Sequence, residues 1–201
     1  MRIVMERFPR LNGEKVLDLG CGYGLYTNYF KSIGGEATGI DGSEAMINEA
    51  HRLYPDCTFF ISDITKTLDF ADETFDIIFS NQVLMDIENI ETVFSECHRI
   101  LKTGGIFYYS IVHPAFYDGD WLENEKGYKY AKQIKKYIKH YSFLSEFWGE
   151  TTHFHRPLSY YLNTAANNGL FLVNANEPIS YDEKVKNSDL PLFFSAEYRK
   201  I

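Results

Sequence analysis

The sequence predicts an α/β protein built on a doubly wound, mostly parallel sheet. Two observations carry that prediction. Short apolar runs that end in glycine or aspartate alternate with amphipathic segments over the first 112 residues. A Gly-x-Gly-x-Gly stretch lies directly after the first of those runs, where a parallel strand would turn into a helix.

The elements follow in order. Residues 16–19 form a short apolar run ended by Gly20, Gly22 and Gly24, as expected of a buried parallel strand. Residues 25–33 read as a helix stopped by Gly34-Gly35, and 37–40 as a second strand. Ser43 offers an N-cap for a helix running to Leu53 and ended by Pro55. Residues 57–61 and 75–79 are the third and fourth strands. Between residues 88 and 101 the apolar positions 90, 93, 94, 97, 100 and 101 have helical spacing, and Gly104-Gly105 is expected to close that helix. Residues 106–112 form the fifth strand. Residues 114–157 lack clear periodicity and read as an insertion. A helix at 158–168 followed by Gly169, then strands at 170–174 and 192–198, completes one domain over residues 1–201.

Composition narrows the function. The chain is 45% hydrophobic and 24% charged, ordinary for a soluble globular protein. Its formal net charge of −8 argues against a nucleic acid partner. No apolar run approaches a membrane span, so no membrane partner is expected. The N-terminus lacks the apolar core of a signal peptide, and Cys21, Cys57 and Cys97 have no metal-ligand spacing. Both features fit reduced thiols and a cytoplasmic location.

In an open parallel sheet, ligands bind beyond the carboxyl ends of the strands. Three carboxylates stand there. Asp18 precedes the first glycine by two positions, Asp41 follows the second strand and Asp63 follows the third. Asp41 can accept both hydroxyls of a ribose. Asp63 can accept from an adenine amino group while Ile64 offers its backbone N–H and apolar surface. Asp18 can order the glycine loop and hold an ammonium group. An amino acid, a ribose and an adenine together describe S-adenosylmethionine. A nicotinamide cofactor would also use Asp41, but the Gly-x-Gly-x-Gly spacing and Asp63 speak against it.

With these residues the sequence resembles the class I S-adenosylmethionine-dependent methyltransferases, of the small-molecule kind often labelled type 11. Ser80-Asn81-Gln82-Val83-Leu84 also matches, after the fourth strand, where that family lines the methionine half of the cofactor. So do His155-Arg156-Pro157-Leu158-Ser159, Gly169-Leu170-Phe171 and Pro191-Leu192-Phe193-Phe194. The resemblance implies a Rossmann-like sheet with an antiparallel last strand and helices on both faces. It implies S-adenosylmethionine as cofactor, held by Asp18, Gly20, Gly22, Asp41, Gly42, Met46, Asp63, Ile64 and Asn81. Members of the family usually carry a full helix before the first strand; here Pro9 interrupts that segment, so another segment is expected to close the site.

The insertion is the expected cover, placed after the fifth strand and rich in aromatics: Trp121, Tyr137, Tyr141, Phe143, Phe147 and Trp148. Tyr141, His155 and Arg156 are expected to face the acceptor, with Arg156 alternatively bracing the insertion. His113 and His155 are the candidate bases, since imidazole titrates near neutral pH. His153 and His155 would share a face if extended, but no third ligand at motif spacing supports a metal site. No Asn/Asp-Pro-Pro-Tyr tetrapeptide and no Pro-Cys pair occurs, which counts against adenine, glutamine and cytosine methylation. The reading is therefore a methyltransferase with a small-molecule acceptor. The alternatives are a non-catalytic S-adenosylmethionine-binding protein and, more remotely, a nicotinamide-dependent oxidoreductase.

Overall fold

A computed structural model describes residues 2–145, 150–178 and 189–201. The chain opens with a short helix, α1 (Arg2–Arg7), followed by β1 (Lys15–Leu19), α2 (Leu25–Ser32), β2 (Glu36–Asp41), α3 (Glu44–Leu53) and β3 (Thr58–Ile61). Then come β4 (Phe75–Asn81), a 3-10 turn (Leu84–Asp86), α4 (Ile90–Ile100) and β5 (Leu101–Val112). The insertion holds β6 (Asp120–Glu123), β7 (Lys129–Gln133), β8 (Tyr141–Ser145) and β9 (Thr151–His155). Helix α5 (Leu158–Asn167) and strands β10 (Leu170–Asn176) and β11 (Phe193–Lys200) follow.

Among the described residues, seven strands form one sheet in the order β10-β11-β5-β4-β1-β2-β3. Strand β11 runs antiparallel to β10 and β5, and the remaining pairings are parallel. The order reverses at β1, so the carboxyl ends of β1 and β4 flank the crevice where a ligand would sit. Both faces of the central strands are buried, whereas the edge strands β3 and β10 are largely exposed. Along β4 and β5, Ile78, Phe107 and Tyr109 point into a core with α4 and α5, whereas Ile77, Phe79 and Tyr108 point into a second core with α1 and α2. That two-sided burial explains why these strands read as near-continuous apolar runs.

Several boundaries differ from the sequence expectation. Helix α4 ends at Ile100, and Gly104-Gly105 lies inside β5 instead of closing the helix. Leu101 already has extended backbone and pairs with Phe75, and the register then shifts before Ile77 meets Ile106. The glycines therefore serve a strand irregularity. The insertion holds regular structure: among its described residues are two antiparallel strand pairs, β6–β7 and β8–β9. Phe147 and Trp148 lie outside the described residues.

Helix α1 covers a sheet face. Phe8, just after it, meets Phe30 and Tyr108 edge-on at 5.6 and 5.9 Å, and Arg7 forks onto Glu197 at 2.5 and 2.7 Å. Among the described residues no helix is long and apolar enough to cross a membrane.

Candidate functional site

A cavity of about 680 Å³ opens at the carboxyl ends of β1, β2, β3 and β4. The loop after β1 forms its floor. Gly20 and Cys21 donate their backbone N–H groups to the Ile40 carbonyl at 2.8 and 2.9 Å, which pins the turn against β2. Gly22 N–H donates to Asp41 Oδ2 and Ser43 N–H to Asp41 Oδ1, each at 2.9 Å. Asp41 thus joins the two loops while facing the cavity. Gly22 has φ 53, and a Cβ built there would meet no protein atom within 4 Å. It would project instead into open space beside the loop. Gly20 has φ 76, and its Cβ would collide with Val83. Both positions need glycine, one for conformation beside the cavity and one for close packing.

Asp18 is 2% exposed beneath this loop and accepts from Thr27 Oγ1 at 2.6 Å. Burial pushes its carboxyl up to about 7, against the Thr27 hydrogen bond and with a small contribution from Asp41. A cation brought to Asp18 would restore its charge, which suits the ammonium of an amino acid. Asp63 behaves differently. It is half exposed, and Thr65, through its hydroxyl at 2.6 Å and backbone N–H at 3.0 Å, together with Lys66, holds its carboxyl down near 2. Its geometry is that of a turn aspartate that also borders the cavity. Asn81 Oδ1 accepts from Ser110 Oγ at 2.7 Å, and the same hydroxyl accepts from Gln82 Nε2 at 3.2 Å. All nine residues expected around the cofactor line this one cavity.

The opposite wall consists of Val83, Met85, Asp86 and Ile87 from the 3-10 turn region and Ser145, Thr151 and His153 from the β8–β9 hairpin. This hairpin is the part of the insertion that reaches the cavity. His153, not His155, is the histidine on its wall. Residues 151, 153 and 155 share one face of β9, but the strand leaves the cavity before His155. His155 stacks on Tyr141 at 4.4 Å and donates from Nε2 to the Tyr137 carbonyl at 2.8 Å. Tyr141 donates to Asp118 at 2.5 Å. His113 accepts at Nδ1 from Ala115 N–H and therefore donates from Nε2 to Glu177, at 3.1 and 2.8 Å. Both of its nitrogens are engaged, Nδ1 in the chain turn after β5 and Nε2 by Glu177 just beyond β10. The Arg156 guanidinium donates to the carbonyls of Ile87, Glu88 and Phe154. The structure therefore does not bring His113, Tyr141, His155 or Arg156 to the large cavity. His113, His155 and Arg156 border a small open pocket of about 20 Å³ that adjoins it, with Met85 and His153 lining both. The sequence reading missed Asp86 and His153 as a pair, and the only available signal was the 151-153-155 alternation.

The cavity fits S-adenosylmethionine on this evidence. It has the volume of a ligand site, three carboxylates at successive strand ends and a glycine-rich floor. Comparison with known proteins agrees. Residues 17–109 match the family described as a methyltransferase domain. A putative S-adenosylmethionine-dependent methyltransferase from Listeria monocytogenes superposes with a TM-score of 0.86 at 25% identity, covering 100% of this chain and 97% of that one. An S-adenosylmethionine-dependent methyltransferase from Mesorhizobium loti gives 0.85 at 25% identity, covering 98% and 96%. The ubiquinone biosynthesis O-methyltransferase of Pseudomonas syringae is 31% identical over 139 residues, which is 67% of this chain and 56% of that protein. The chain spans about half or less of the length of the curated methyltransferases it matches. The chain carries a methyltransferase domain of the kind that uses S-adenosylmethionine as cofactor.

Proposed function

We propose that the protein transfers a methyl group from S-adenosylmethionine to a small-molecule acceptor, within a single unit over residues 1–201 in which the 114–157 insertion covers the acceptor. The observation that carries this reading is the two-sided cavity. One side offers carboxylates and bare backbone, and the other is closed by a hairpin. Asp41 holds the ribose hydroxyls and Asp63 with Ile64 the adenine. Asp18 holds the amino-acid end. Gly20, Gly22, Gly42, Met46 and Asn81 shape the cleft. Asp63 reaches the adenine at the cost of sharing its carboxylate with Thr65 and Lys66.

When bound, the cofactor supplies an activated methyl on a sulfonium, so the chain needs no nucleophile of its own. Its task is to orient the acceptor and exclude water. The relative named for ubiquinone biosynthesis is an O-methyltransferase, which favours an oxygen acceptor here. Calorimetry with S-adenosylhomocysteine and a metabolite screen for methyl transfer test the reading. Binding without transfer to any acceptor would leave the non-catalytic alternative, and no binding would remove both.

A further inference from the structure

Of the three buried side-chain polar atoms that lack a hydrogen-bond partner among the described residues, Ser195 Oγ lies on β11 and the other two sit together on the acceptor side of the cavity. Asp86 Oδ1 and His153 Nδ1 are buried without a hydrogen-bond partner among the described residues. His153 Nε2 lies 3.1 Å from Asp86 Oδ1, but the alignment falls short of a hydrogen bond. His153 is 7% exposed, held between Tyr117 and Phe143 at ring distances of 5.8 and 5.4 Å. Asp86 keeps 29% of its side chain exposed and lines the cavity. With Oδ1 turned to the ring, Oδ2 is the oxygen left for a ligand.

A buried, half-satisfied polar pair costs about 1–3 kcal/mol per unpaired group. Natural proteins keep such pairs mostly where a ligand or a proton completes them. Catalytic hydrogen bonds are also often misaligned without substrate and tighten when it binds.

We propose that Asp86 is the proton acceptor of the transfer reaction, that His153 positions it, and that the acceptor is a neutral hydroxyl compound. This rests on the methyltransferase reading above. The acceptor's oxygen forms the new bond to the methyl carbon while the carbon–sulfur bond breaks and its electron pair returns to sulfur. The hydroxyl proton passes to Asp86 Oδ2 and leaves later through the open cavity. His153 keeps its proton on Nε2, facing Oδ1, and steadies the carboxylate in the reactive orientation.

The acid–base behaviour agrees with that placement. Burial raises the Asp86 carboxyl to about 7, where a general base is most effective, and lowers His153, which favours its neutral form. The titratable groups facing Asp86 are His153 from β9 and Tyr161 from α5, with the Arg156 guanidinium next to Tyr161. A thiolate or carbanion acceptor would need none of this.

The test uses the full chain, S-adenosylmethionine, and two probe sets at pH 7.5: un-ionised phenols (phenol, catechol, 4-methylphenol) and thiophenol, which ionises without help. Wild type should methylate at least one phenol, and Asp86→Asn should lower that rate by about 100-fold or more while leaving thiophenol within threefold. The wild-type rate on the phenol should rise with pH through an acid limb near 7, and His153→Gln should move that limb. A carbon-13 NMR titration with S-adenosylhomocysteine present provides a readout independent of turnover. The carboxyl signal lost in Asp86→Asn should titrate near 7 and shift in His153→Gln. Equal losses on phenols and thiophenol, transfer to thiophenol alone, or an Asp86 signal in the ordinary carboxylate range would each overturn the proposal. Wild type that fails to bind S-adenosylhomocysteine would instead overturn the underlying methyltransferase reading, and binding by both variants shows that they are folded.

Discussion

The two walls of the cavity are held in place by different means. On the β1–β2–β3 side the cavity-facing groups are backbone N–H groups, glycines and carboxylates at strand ends, fixed by parallel pairing such as Asp18 with Gly39 and Asp41 with Ile61. On the other side the groups are side chains of a 3-10 turn and a two-stranded ribbon, whose register rests on pairs such as Phe143 with His153. A slip of one residue in that ribbon would turn Thr151 and His153 out of the cavity. A slip in the central sheet is opposed by a core on both faces. The sheet side is therefore suited to a constant ligand, and the hairpin side to one that can change with few substitutions.

Substitutions on the sheet side should weaken cofactor binding, and those on the hairpin side should not. The largest effect is expected for Asp41→Ala, which removes a charged acceptor and leaves the Gly22 and Ser43 N–H groups unpaired. Affinity for S-adenosylhomocysteine should fall by about 10- to 100-fold in calorimetry. Next comes a pH effect through Asp18. Its carboxyl titrates near 7 in the free protein, and an ammonium ligand needs it ionised. Affinity should therefore drop about tenfold from pH 8 to pH 6, because a proton must be displaced first. Asp18→Asn should flatten that dependence. A smaller loss, about three- to tenfold, is expected for Gly22→Ala, since a left-handed alanine costs on the order of 1 kcal/mol and its Cβ borders the ligand space. The smallest is His155→Gln, which breaks the contact with Tyr137 and the stacking on Tyr141. It should lower the melting temperature yet change affinity by less than about twofold, within the usual spread for positions off the site. A loss as large as that of Asp41→Ala would dissolve the distinction between the walls.

The sheet side could be read in advance because burial on both faces, glycines at a strand end and aspartates after strands leave local marks. Asp18, Asp41 and the glycines needed only their position after an apolar run. The hairpin side leaves weaker marks. Strands β6 and β7 are largely exposed, and Trp121 packs under Lys129 and Lys132 at 5.5 and 4.8 Å, so no apolar alternation betrays them. His153 and His155 look equivalent in sequence, and only the path of β9 separates the one on the cavity from the one behind it. Asp86 sits in a tight turn after an apolar strand, where aspartate is commonplace. Its meaning depends on a histidine 67 positions later, a juxtaposition that only the folded insertion creates.

The Arg156 guanidinium grips the carbonyls of Ile87 and Glu88, directly after Asp86 and three residues beyond His153. This clamp makes the turn and the hairpin one mechanical piece. Lifting the hairpin to admit a molecule would drag the carboxylate away with it. Traffic into the cleft is then easiest from the opposite rim, past the exposed side chains of Tyr23 and Met46, which are 48% and 44% accessible. Such a one-sided doorway lets the reactive corner stay assembled while molecules come and go.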